Sequence, residues 1–102
     1  MKTIQVDASD WTSTEDFYDA VLPLLGAPDW HGRNLNALID SILVEGVNSV
    51  APPYVIVIRG TAALKPDILD YIESASFNLA QARAETRDTW DRDMDARIEI
   101  EA

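Results

Sequence analysis

The chain contains no cysteine. That absence excludes disulfide staples, thiolate nucleophiles, iron–sulfur clusters and cysteine-ligated zinc. Positive charge is scarce as well: eight Lys and Arg stand against 18 Asp and Glu, for a net charge of −10. A nucleic-acid binder needs a basic stripe to displace counterions from phosphate, and an anionic membrane repels acidic chains, so neither partner is expected. Opposite fields favour a basic protein partner, while solubility alone is the other use of such acidity. No apolar run approaches the ~20 residues of a membrane helix. The stretch from Met1 to Asp7 has no apolar segment of signal-peptide length, so the expected location is the cytoplasm.

Histidine occurs once, at position 31, and the four glycines are scattered at 26, 32, 46 and 60. The glycines make no phosphate-cradling loop. His31 has no Ser-His-Asp grouping around it, so no catalytic residue is assigned; a small hydrolase using His31 and a carboxylate is the least supported reading. Asp88, Asp91, Asp93 and Asp95 lack the order, the central Gly and the terminal Glu of a calcium loop, and no metal or cofactor is expected.

What the chain does have is an ordinary globular balance, 47% hydrophobic and 25% charged over 102 residues, enough for one domain spanning 1–102. Ile4 and Val6 alternate in a short strand over 3–6. Thr12 or Ser13, followed by Glu15 or Asp16, forms a helix start, and Phe17, Val21, Leu24 and Leu25 recur at helical spacing. Pro23 predicts a kink or an early end, and Gly26-Ala27-Pro28 closes the element. A second helix is expected from Leu35 to Glu45, capped by Asn34 and stopped by Gly46. Its apolar arc is Leu35, Leu38, Ile39 and Ile42, with Asn36, Asp40 and Val44 on the other side and Leu43 on the border.

Tyr54 to Ile58 is apolar at every position, which suits a central strand covered on both faces. Pro66 opens a further helix through Ile68, Leu69, Ile72 and Ala75 towards Arg87, with Ser74-Ala75-Ser76 as a candidate interruption. The charged stretch Thr86 to Asp95 around Trp90 reads as a turn or loop, and Ala96 to Glu101 alternates as a final strand. Long helical connections between strands predict an α/β fold: a three-stranded, mostly parallel sheet with three to four helices.

The segment Pro28-Asp29-Trp30-His31-Gly32-Arg33-Asn34-Leu35-Asn36-Ala37-Leu38-Ile39-Asp40 is unusual for a plain connection. It sets an exposed-looking ring pair and a glycine directly before a helix whose outer face offers Asn36 and Asp40 at i and i+4. Such a surface suits a cationic pocket, because Asp40 can accept from Arg while Trp30 supplies rigid apolar area. The alternative is that Trp30 packs on the core and Asp40 is merely solvated.

This segment resembles the signature of the barstar family, intracellular inhibitors of secreted guanyl-preferring ribonucleases. Trp30, Gly32, Asn34, Leu35, Ala37, Leu38 and Asp40 match it, with His31 as the second ring, and the order of strands and helices agrees to about residue 75. The resemblance implies a barstar-like fold and a bacterial immunity-type protein whose loop and second helix plug a ribonuclease active site, a carboxylate replacing phosphate. By match, Asp40 is the central anion and Trp30 the aromatic contact. Gly32 and Asn34 are the loop contacts, and Asn36 and Ala37 the first-turn contacts. His31, Ile39 and Val44 complete the partner face, and Glu73 is the nearest candidate for a further acidic contact. Asn36 stands where a second carboxylate is expected, Ile39 replaces an aromatic, and Glu45 falls where another aromatic is expected. The implied partner is a basic ribonuclease or a related toxin, bound by a chain that is monomeric when free. The alternative is an acidic interaction module for a non-nuclease partner.

Overall fold

The computed structural model describes residues 1–44 and 47–102. Its centre is β2 (Tyr54–Arg59), flanked in parallel by β1 (Lys2–Asp7) and β3 (Ala96–Ile100) in the order β1-β2-β3. The register sets Ile4 beside Ile56 and Ile56 beside Ile98, so β-branched side chains form a row across one sheet face. Three helices, α1 (Thr14–Leu25), α2 (Leu35–Leu43) and α3 (Pro66–Trp90), supply the connections, with a short 3-10 turn at Thr61–Ala63. The fold is thus the α/β, three-stranded parallel arrangement expected.

That row and all three helices share one core. Phe17, Val21 and Leu25 of α1, Leu38 and Ile42 of α2, and Ile68, Ile72, Ala75 and Leu79 of α3 are buried with it. β2 is buried on both faces, as its unbroken apolar run predicts, although Val55 and Val57 on the second face lie outside this core. Their in-register neighbours are the exposed Thr3, Gln5, Arg97 and Glu99, of which the last three have aliphatic stems able to flank a valine.

α1 starts where the chain places its capping chemistry. The Asp16 carboxylate accepts the Thr12 amide at 2.7 Å and the Ser13 amide at 3.1 Å, and these bonds hold its carboxyl below the ordinary value of 3.8. The helix runs past Pro23 to Leu25. The proline lies within the last turn, so the missing amide bond disturbs little before Gly26 turns the chain at φ 67° and returns its N–H to Pro23 O. A Cβ on Gly26 would fall 2.6 Å from Ser49 Cβ, so only glycine fits both the angle and the space.

α2 ends at Leu43 with Val44 at its cap; the expected extension to Glu45 and the stop at Gly46 lie outside the described residues. The expected loop from Thr86 is also corrected, since α3 continues to Trp90 and closes on Asp91 in the left-handed region, with its N–H on Arg87 O. Strong helix formers at 80–85 carry it that far, and Arg83 ties the following segment back through Asp93 at 2.6 and 2.8 Å. Ser74-Ala75-Ser76 does not interrupt it: Ala75 is buried and the Ser76 hydroxyl donates to Ile98 O. Among the described residues, no helix is long and apolar enough to cross a membrane.

Candidate functional site

The loop between α1 and α2 is held from three directions. At its end, Asn34 Oδ1 accepts the Ala37 amide at 2.8 Å, satisfying a free donor of the first turn of α2. On one flank, Arg33 Nε donates to Glu15 Oε2 at 2.7 Å, and its Nη2 pairs with Asp19 and reaches the Glu15 carbonyl at 3.2 Å. Underneath, the His31 ring lies 2.7 Å from Gly32 O and 2.8 Å from Ser41 Oγ. A Cβ on Gly32 would come within 3.1 Å of Ala37 Cβ and 3.2 Å of Asn34 Nδ2, so the glycine lets the loop lie close on the helix start.

The two adjacent rings part company here. Trp30 is 77% exposed, whereas His31 is only 7% exposed. The expectation of an exposed pair is therefore corrected: the imidazole turns inward because both its nitrogens find partners there, which removes most of the cost of burial.

Trp30, His31, Gly32, the α2 residues Ala37, Asp40 and Ser41, the cap residue Val44 and Val47 line a largely apolar groove of about 250 Å³. Ala37, Asp40 and Ser41 recur at i, i+3 and i+4, one stripe of α2 that Val44 continues at the cap. Asp40 is exposed, and among the described residues its side chain has no hydrogen bond or ion pair. Its charge is thus available at the rim of an apolar cleft that the exposed Trp30 also lines. A carboxylate and an indole lining one cleft can serve a cationic, partly apolar group.

The other expected residues take other places. Asn34 works as the cap, and Asn36 is exposed on the first turn of α2 without lining the groove. Ile39 is half-buried against the core, drawn there by the apolar arc it shares with Leu38 and Ile42. Glu73 is exposed on α3 and does not line the groove. Three contributors escaped the sequence reading: Ser41, Asn48 and the Arg33 clamp. The acids at 15 and 19, one turn apart on α1, signalled a basic partner; nothing local marked Ser41 as the partner of a histidine ten residues away.

Fold and groove together define a class: a small parallel α/β domain with a preformed, acid-rimmed concavity at a loop–helix junction. No curated protein matches the chain. The family model described as Barstar (barnase inhibitor) matches residues 1–100, and the chain belongs to that family.

Proposed function

We propose that this protein is an intracellular inhibitor of a basic, barnase-type ribonuclease, and that it acts by filling the enzyme's active site with the Trp30 loop and the outer face of α2. The observation that carries this reading is the Asp40 carboxylate, exposed and uncommitted at the mouth of the groove. The family's printed description as a barnase inhibitor supports it, as does the net charge of −10.

In this reading the inhibitor performs no chemistry. A ribonuclease site holds phosphate with Arg and Lys, and Asp40 supplies the anion those groups would otherwise find in RNA. Trp30 packs its indole on the enzyme beside them. Because the loop is already pinned by Asn34, Arg33 and His31, little ordering is left to be done on association. The long-range attraction between an acidic inhibitor and a basic enzyme speeds encounter and weakens with salt.

The test is titration of the protein into a panel of small microbial ribonucleases, following RNA cleavage. Stoichiometric inhibition of a barnase-type member is the expected result; no inhibition of any member at micromolar concentration contradicts the proposal. Asn36, neutral where the family resemblance expects a carboxylate, favours a second reading in which the target is a different basic toxin. Capture of a partner that lacks nuclease activity from native lysate, with Asp40→Ala abolishing the capture, distinguishes it.

A further inference from the structure

We propose that His31 is a positioning residue: its buried ring, next in sequence to the exposed Trp30, ties Gly32 of the loop to Ser41 of α2 and thereby sets where the indole stands relative to the Asp40 carboxylate. This rests on the reading of the groove as the partner-binding face.

The hydrogen bonds define the tie. Gly32 O can only accept, so Nδ1 of the ring carries a proton and donates to it at 2.7 Å. Nε2 lies 2.8 Å from Ser41 Oγ, whose single hydroxyl hydrogen is shared between Nε2 and Leu38 O at 2.9 Å, while Oγ accepts from Asn48 Nδ2 at 3.0 Å. Asn48 belongs to a segment stitched to the end of α1, through the Ser49 amide on Gly26 O and the Val50 amide on Leu25 O. One ring therefore joins the loop, α2 and the end of α1.

His31 lines both the groove of about 250 Å³ and a second surface cavity of about 320 Å³ that Tyr18, Asp19, Leu22 and Pro23 of α1 also line. A phenyl ring of the same size would keep the burial and lose both hydrogen bonds. Direction comes from the two polar contacts.

The experiment uses the intact protein and two readouts. Backbone relaxation of the free protein reports order in residues 30–33, and titration against a barnase-type ribonuclease reports inhibition. His31→Phe, which keeps a ring but loses both bonds, is expected to lower the loop order parameters from about 0.85 to below about 0.6. It should weaken inhibition by about tenfold or more. His31→Gln, with an amide near the position of Nε2, is expected to recover most of both. Ser41→Ala should also loosen the loop, and combining it with His31→Phe should add little, because the two share one interaction. Unchanged loop order in His31→Phe, or losses that simply add in the double variant, overturns the proposal. If His31→Phe does not fold, the Gln and Ser41→Ala variants decide by the same criteria. Failure of the wild-type protein to inhibit any ribonuclease would contradict the functional reading instead, and the relaxation measurement, needing no partner, would still decide the role of His31.

Discussion

Arg33 Nε lies 2.7 Å from Glu15 Oε2, which fastens the loop ahead of α2 to the first turn of α1 across 18 residues of sequence. The same guanidinium pairs with Asp19, one turn further along α1. A flexible-looking connection is in this way converted into a surface with a fixed shape.

Replacing Arg33 with Ala should therefore affect recognition more than folding. Both of its ion pairs are well exposed to water, and exposed pairs contribute little to global stability. The expected outcome is a small drop in melting temperature that vanishes at about 1 M salt. Weaker partner binding should accompany it, with faster hydrogen exchange in the loop. A large, salt-independent loss of stability would contradict this division.

The cap at Asn34 is a stability feature as well as a loop feature. Asn34→Ala removes the acceptor for the Ala37 amide and should cost about 1 kcal/mol, measured by urea unfolding. Asn34→Asp or Asn34→Ser should restore most of that loss, since either side chain can accept the same bond.

Acid should destabilise the fold through its hydrogen-bonded carboxylates. Amides of Thr12 and Ser13 lower Asp16, the Ser9 amide lowers Asp7, and the Arg83 guanidinium lowers Asp93. A lowered folded value means that the unfolded chain binds protons first as pH falls. The stabilisation is complete above the ordinary value of 3.8 and is lost as pH drops through the folded values. Unfolding midpoints should hold steady from neutral pH to about 5 and fall steeply below about 4. Asp16→Asn should be less stable than the parent at pH 6 and should lose less of what remains on acidification.

Most of the architecture was legible because it rests on periodicity. The apolar run of Tyr54 to Ile58 and the alternation of Ile98 and Ile100 mark strands whose parallel pairing follows from their long helical connections. Burial on the second face of the sheet, at Val55 and Val57, was legible in the same run, but an apolar run does not reveal that their strand neighbours there are polar. The end of α3 was misread because charge density suggested a loop, whereas ties from Arg83 to Asp93 and Asp95 let a charged helix persist to Trp90. At the site, Trp30, Asn34 and Asp40 could be read from local chemistry. The inward turn of His31 depends on Ser41 and Asn48, and that contact exists only after folding.

The most direct test of the account is the inhibition constant of Asp40→Asn against a barnase-type ribonuclease, measured beside the parent. The substitution keeps the shape of the side chain and removes its charge. If Asp40 is desolvated against Arg or Lys in the complex, inhibition should weaken by about 100-fold or more, equivalent to about 3 kcal/mol, while the unfolding midpoint stays unchanged. An inhibition constant equal to that of the parent would contradict the claim that this carboxylate takes the place of phosphate.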